Sequence, residues 1–348
     1  PHQDQHFPQK QIIVFPSPSR ILPEGESSLF SIYFFLLISI NFFLFERKST
    51  KRNLQAFRLT VASNFKVSKL LIGLTIVAFG TGAPELAVSF SSLFNGSTDI
   101  LVGNVIGSNI INVLLLIGIA AIIRPIKVNK DTVSKKLPLL LLISTALIVL
   151  LLDVNLSEAI INTFSRADAI ICLLFFCIFL YYLFSLARKN KAEAKKVDKP
   201  KYTLGKSFIF TILGLIGIIA GSQLVVNSAS NIATTIGISE RIISLTIIAL
   251  GTSLPELVTT VIAAKKGEGD LLVGNIIGSN IFNICFVLGA CNMISPMKIA
   301  GIGMVDWCML LGSCVLMWFF AFTGRKVVRW EGIGLISIYL VYLTSLLF

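Results

Sequence analysis

Two six-residue segments, Gly80-Thr81-Gly82-Ala83-Pro84-Glu85 and Gly251-Thr252-Ser253-Leu254-Pro255-Glu256, each place a carboxylate in the middle of an apolar run. A charge at a bilayer centre costs roughly 3 kcal/mol or more on insertion scales. No Lys or Arg lies at similar depth, so two matched carboxylates need a counter-charge from outside the protein. One divalent cation supplies it; so do two protons, or two or more Na⁺. A single ligand set filled alternately by unlike cations of comparable total charge describes an exchanger.

The residues around each carboxylate suit that chemistry. Proline removes a backbone donor and clashes with the carbonyl four residues back, so Pro84 disturbs the carbonyl of Gly80 and Pro255 that of Gly251. The neighbouring glycines permit non-helical angles. A broken helix is expected at each proline, with the carbonyls of Ala78, Thr81, Ala249 and Thr252 partly free. Free carbonyls at membrane depth persist only where something satisfies them, and a cation does. All donors are oxygens, which hard cations prefer, and a flexible mixed shell suits Ca²⁺ better than Mg²⁺. The six cysteines, Cys172, Cys177, Cys285, Cys291, Cys308 and Cys314, lack metal-site spacing and read as apolar packing residues.

Each motif is followed by a second polar set. Asn104, Ser108 and Asn112 recur every four residues and share one helix face, as do Asn275, Ser279 and Asn283. Gly103 and Gly107, like Gly274 and Gly278, allow close helix approach. The polar face either lines the cation site or only holds helices together. Asp99 and Asp270, at the starts of these helices, read as caps near an N-terminus.

The elements that must position these residues are membrane spans. The chain has 348 residues, 55% hydrophobic and 14% charged, against about a quarter charged in ordinary soluble domains. Apolar stretches of spanning length fall near 30–45, 70–94, 100–123, 137–152, 168–187, 207–232, 241–264, 271–293, 304–323 and 331–348. The fold class expected is an all-α polytopic membrane protein of about ten transmembrane helices. With the N-terminus outside, 25 of the 30 Lys and Arg fall in inner loops, as the positive-inside rule requires. That sorting explains the net charge of +12 without nucleic acid, whose recognition needs a continuous basic face. The polar, Pro-rich start, 1–28, is expected to be disordered, and no cleavable signal is evident.

An internal repeat organises the spans. Residues 71–113 align without a gap onto 242–284 at a constant offset of 171, identical at 22 of 43 positions. The Lys-rich stretch 188–206 reads as a solvated linker between a first membrane half, 29–187, and a second, 207–348. Five spans per half make the copies enter the membrane from opposite sides, an inverted-topology repeat with its site at the repeat interface.

The paired motifs, with Gly-Asn-x-x-Gly-Ser-Asn following each, resemble the two α-repeats of the cation/calcium exchanger superfamily, closest to prokaryotic-type sodium/calcium exchangers. The resemblance runs from about residue 60 to the C-terminus. It implies Glu85 and Glu256 as central Ca²⁺ ligands with carbonyls of Thr81 and Thr252. It also implies flanking Na⁺ sites built from the carbonyls of Ala78 and Ala249 with Ser108, Ser279 and Ser253, and a middle site lined by Asn112 and Asn283. A ten-helix fold and sliding-bundle alternating access would follow. Three departures stand out. Gly82 occupies a position where the family usually has Ser. Asn283 occupies one where relatives, including K⁺-dependent exchangers, often carry Asp. The stretch before the first motif does not look like the usual first span.

The expected function is secondary antiport of Ca²⁺ against Na⁺ or H⁺ in the cell membrane, with 188–206 cytoplasmic. The ions are bound cargo and no cofactor is expected. Exchange of another divalent cation and K⁺-dependent exchange are alternatives of the same class. A non-transporting Ca²⁺-binding homologue is the alternative of another class. An enzyme is disfavoured, because no nucleophile, histidine or metal-ligand set stands beside the carboxylates.

Overall fold

The computed structural model describes residues 81–152, 162–189, 237, 239–299 and 301–347. The predicted spans near 30–45 and 207–232, the first part of the span near 70–94, the segment 1–28 and nearly all of the linker 188–206 lie outside these residues. The described chain is mostly helical: α1 (Ala83–Phe94), α2 (Thr98–Ile123), α3 (Thr132–Leu150), α4 (Arg166–Lys189), α5 (Arg241–Thr252), α6 (Leu254–Lys266), α7 (Gly269–Ile294), α8 (Met304–Gly324) and α9 (Arg329–Leu347). Among the described residues, α2, α3, α4, α7 and α8 are each long and apolar enough to cross a membrane, and α5 with α6 form a further crossing bent by 49°. The protein is an all-α, multi-pass membrane protein built on two repeats.

The helix ends follow local chemistry. α6 stops at Gly267, which takes the left-handed conformation with φ 75°, a region where a Cβ is costly. Lys265 and Lys266 lie in its last turn, where the helix dipole favours positive charge. α1 is followed by Gly96, also left-handed with φ 76°.

α2 and α7 form the centre. Both have 26 residues, and their first and last residues match at the repeat offset. In α2 78% and in α7 89% of the most apolar window is buried, against 28% in α4. α3, α4 and α8 therefore lie outside them, with Tyr181, Phe184 and Phe322 exposed as expected of lipid-facing positions. Close packing rests on repeat-matched glycines. Gly118 of α2 lies against Gly332 and Ile336 of α9, and its mate Gly289 of α7 lies against Ala169 and Leu173 of α4.

Strand pairings between the halves fall into two groups, in stretches that the charge pattern expects on opposite sides of the membrane. On the side expected to face inward, β1 (Ile126–Lys127) pairs antiparallel with β4 (Lys326–Val327). On the side expected to face outward, β2 (Asn162–Phe164) pairs antiparallel with β3 (Met297–Ile299). Near the start of α8, the buried Asp306 Oδ2 accepts from Arg241 Nε at 3.0 Å and Nη2 at 2.6 Å, while Tyr342 donates to Oδ1 at 2.8 Å. That cluster ties α5 to α8 and α9.

Asp99 and Asp270 are not caps. The residues at the cap positions, Ser97 and Glu268, make no side-chain cap bond, and each aspartate instead holds a loop of the opposite half. Asp99 Oδ1 accepts from the Gly301 amide at 3.3 Å. Asp270 Oδ1 accepts from the Asn129 amide at 3.2 Å and Thr132 Oγ1 at 2.7 Å. Both still lie in a first helical turn, so the dipole part of the expectation holds.

Candidate functional site

Each motif breaks at the residue before its proline-bearing turn. Ser253 separates α5 from α6 with φ −81° and ψ 3°. Gly82 takes φ −79° and ψ 2° at the matching place before α1. The two breaks thus share one backbone conformation although one residue is Ser and the other Gly. Pro84 and Pro255 sit in the first turn of the helix that follows, where the missing N–H costs nothing. Glu85 and Glu256 lie in the same turns, so unpaired amides and the positive end of the helix dipole favour their negative charge.

Both carboxylates are fully buried, and they are close enough to repel one another. Each faces hydroxyls of the opposite repeat: Thr252 and Ser253 lie beside Glu85, and Thr81 lies beside Glu256. Within its own repeat, Glu256 Oε1 accepts from Ser279 Oγ at 3.4 Å. Ser108, the mate of Ser279, is drawn across the interface instead, with its Oγ 3.3 Å from Thr252 Oγ1. Thr252 Oγ1 lies 3.1 Å from Asn104 Oδ1 and 3.2 Å from the Ala249 carbonyl.

Asn112 and Asn283 are wholly buried on α2 and α7. Asn112 Nδ2 donates to Asn280 Oδ1 at 3.0 Å, and Asn280 Nδ2 donates to the Asn109 carbonyl at 3.2 Å. The Asn109 and Asn280 positions are repeat mates, so this bridge joins the halves at the symmetry axis. Buried polar atoms nearly always have a partner. Among the described residues, both Glu85 oxygens, Glu256 Oε2, Thr81 Oγ1, Ser253 Oγ, Asn112 Oδ1 and both amide atoms of Asn283 have none. The result is an oxygen-rich cluster of acceptors and hydroxyls around two carboxyl groups. No Lys or Arg lies in either motif, nor between Lys206 and Glu240.

The sequence-derived candidates Glu85, Glu256, Thr81, Thr252, Ser253, Ser108 and Ser279 therefore meet in one buried region, while Asn112 is buried at the bridge to Asn280 and Asn283 is buried on α7. Ala78 lies outside the described residues. Ala249 is buried there, but its carbonyl is not free: it accepts from the Ser253 amide at 3.1 Å and from Thr252 Oγ1. The helix runs unbroken to Thr252, so the bond that Pro255 deletes is the one to Gly251, two residues further on.

Sequence reasoning missed three features. Asn109 and Asn280 fall off the four-residue spacing that singled out Asn104, Ser108 and Asn112, although their identity in both copies was a usable signal. Wide π-type turns occur at Asn112–Leu116 and Phe282–Leu288, a distortion frequent at functional sites that has no side-chain signature. Finally, Ser89 and Thr260 continue the faces of Glu85 and Glu256 one turn on, buried with unpaired hydroxyls.

The small residues of α2 bring the repeats together. A Cβ on Gly107 would stand 2.7 Å from the Leu245 carbonyl and 2.8 Å from Ala249 Cβ, and one on Gly103 would collide with Ser244. α2 therefore rests directly on α5, the first half of the other repeat's broken helix. The segment that would pack on Gly274 and Gly278 in the same way, near 73–78, lies outside the described residues.

Known proteins resemble this chain in sequence and fold. The family model described as "Sodium/calcium exchanger protein" matches residues 27–185 and 206–348. The chain is 31% identical to the sodium/calcium exchanger MaX1 of Methanosarcina acetivorans, across 83% of this chain and 92% of that one. It is 38% identical to the inner membrane protein YrbG of Escherichia coli, across 68% and 72%. A solved structure of the sodium-calcium exchanger NCX_Mj, soaked with Na⁺ and Sr²⁺, superposes with a TM-score of 0.66 at 31% identity, covering 88% of this chain and 98% of that one.

Proposed function

The chain belongs to the sodium/calcium exchanger family, and from that premise we propose that it is a secondary antiporter exchanging Ca²⁺ for Na⁺ by alternating access. The observation that carries this reading is the pair of buried carboxylates from opposed repeats, with oxygens left unpaired among the described residues and no Lys or Arg in either motif. One Ca²⁺ between Glu85 and Glu256 cancels their charge, and so do monovalent ions taken one by each carboxylate. The two loads compete for one set of oxygens, which couples their movements.

In this assignment Glu85 and Glu256 hold the divalent ion, with backbone oxygens of Thr81 and Thr252. Ser253 and Ser108 serve a monovalent ion beside Glu85, and Ser279 serves one beside Glu256. Asn112 and Asn283 line the space between. Ala78 would act through its carbonyl. Ala249, whose carbonyl already holds two donors, must give up one to contribute. A shell of carboxylate, hydroxyl and amide oxygens suits Ca²⁺, which tolerates irregular coordination, better than Mg²⁺, which demands a near-octahedral shell. The ions are cargo and no resident cofactor is needed. The proposed location is the cell membrane, with the 188–206 linker on the cytoplasmic side.

Proteoliposomes test the reading. Vesicles loaded with Na⁺ and diluted into Na⁺-free buffer should accumulate radioactive Ca²⁺, and a pH gradient alone should not drive it. Absence of uptake under both gradients refutes the assignment. Uptake with pH alone transfers the driving role to H⁺. Excess Mg²⁺ or Mn²⁺ should compete weakly; strong competition by either names a different divalent cargo.

A further inference from the structure

Only one end of an asparagine amide can serve a cation. Oδ1 carries lone pairs, whereas Nδ2 carries two hydrogens and turns positive charge away. A buried asparagine that serves an ion must therefore be held with its oxygen as the available end. Asn112 faces this requirement. It is wholly buried on α2, one turn beyond Ser108, whose Oγ lies 3.3 Å from Thr252 Oγ1. Half a turn of its amide would exchange oxygen for nitrogen with almost no change of shape. Packing alone does not choose between the two, so a hydrogen-bond partner must.

The fixed point is a backbone carbonyl. The carbonyl of Asn109 can only accept, so the end of the Asn280 amide that lies 3.2 Å from it is Nδ2. Asn280 Oδ1 is then the other end, and it too can only accept. Asn112 must turn Nδ2 toward it, at 3.0 Å, which leaves Asn112 Oδ1 as the free end. Among the described residues that oxygen is buried and has no partner. One polarity thus runs from a carbonyl of α2, through Asn280 of α7, back to Asn112 of α2. Asn109 and Asn280 are each 1% exposed, so bulk water does not compete for these bonds, and hydrogen bonds in series strengthen one another. Asn280 also directly follows Ser279, whose Oγ lies 3.4 Å from Glu256 Oε1. The series therefore crosses between the repeats next to hydroxyls of both.

We propose that Asn280 is a positioning residue for ion binding: it holds the Asn112 amide so that oxygen, and not the NH₂ group, is the end available to the ion. This role rests on the reading of Asn112 as part of the cation site and adds to it the residue that orients it.

The experiment measures the Ca²⁺ concentration that gives half-maximal Na⁺-driven uptake in proteoliposomes of the full chain. Asn280→Ala lowers stability whatever else the residue does, so the deciding comparison is a double-mutant cycle with Asn112→Asp. That substitution makes both ends of the side chain oxygens, ionised or not, and leaves no polarity to set. With Asn112 in place, Asn280→Ala should weaken apparent Ca²⁺ affinity by about tenfold while the maximal rate stays within about twofold. Combined with Asn112→Asp, it should cost no affinity. Equal losses in both backgrounds, or no loss with Asn112 in place, overturn the proposal. Should the alanine variant fail to fold, Asn280→Leu, which keeps the branched shape without polar atoms, carries the same expectations. Equilibrium binding of radioactive Ca²⁺ to the detergent-solubilised protein reads the same cycle without transport. Binding that follows the cycle in a protein without Na⁺-driven uptake overturns the antiport reading and leaves the role of Asn280 standing. Absence of Ca²⁺ binding by the unsubstituted protein overturns both.

Discussion

Glu85 and Glu256 hold opposite places in the two repeats, but their surroundings differ, and so should their variants. Glu85→Gln and Glu256→Gln each remove half of the fixed charge, and each is expected to lower Ca²⁺ exchange by more than about 100-fold, since a charge-assisted contact is worth roughly 1.5–3 kcal/mol and a cation makes several with a carboxylate. Initial rates in proteoliposomes check this. Ser279→Ala removes the hydroxyl 3.4 Å from Glu256 Oε1 and should weaken apparent Ca²⁺ affinity by about tenfold while the protein stays folded, as such a contact is worth. Asn280→Ala should act on stability. It takes away the bridge from Asn112 to the Asn109 carbonyl, leaves a buried amide unpaired, and should lower stability by about 1–3 kcal/mol, read as a lower melting temperature in detergent.

At the scale of elements, the close seat of α2 on α5 sets the geometry of the site. Gly107→Val would drive a branched side chain into the Leu245 backbone and Ala249 Cβ. Overpacking of this kind costs roughly 1–3 kcal/mol, and here it would also displace Ser108, one residue along α2, from Thr252. Flux and melting temperature should fall together, in contrast to Ser279→Ala. Much of this level was legible in the residues. The constant repeat offset gave α2 and α7, the prolines gave the break at Ser253, and the Gly-x-x-x-Gly spacing gave the close approach. The rest depended on the third dimension. That Asp99 and Asp270 reach loops of the opposite half is a tertiary fact, invisible in a position near a helix start. The Ala249 carbonyl stays occupied because the helix persists one residue short of Ser253. The π-type turns carry Asn112 and Asn283 without any composition to mark them.

At the scale of the whole molecule, the halves are joined on both faces. β1 pairs with β4 on the face expected inside and β2 with β3 on the face expected outside. Lys127 stands opposite Lys326, and Thr163 opposite Lys298. Antiparallel partners have Cα atoms about 4.5–5.5 Å apart, within the range that a disulfide spans. In a protein whose native cysteines are replaced, Lys127→Cys with Lys326→Cys should cross-link on oxidation, as should Thr163→Cys with Lys298→Cys. If the described framework moves as one body during transport, exchange with both cross-links closed should stay within about twofold of the reduced protein. A collapse of flux on oxidation would show that the halves rock against each other. The same pairs test sidedness, because a membrane-impermeant thiol reagent should reach position 127 from one side and position 298 from the other.

The contacts that cross from one repeat to the other, Ser108 to Thr252 and Asn112 to Asn280, have a consequence for how the molecule is made. Each residue of the first repeat waits for a partner 144 or 168 positions further along the chain. At synthesis rates of about 5–20 residues per second, that delay is roughly 7–35 s. Through this interval the ribosome has delivered Glu85, Ser108 and Asn112 to the membrane without the side chains that will face them. The newborn first half must be sheltered by water, lipid headgroups or the insertion machinery until α5 and α7 arrive, so the binding site comes into being only with the second repeat.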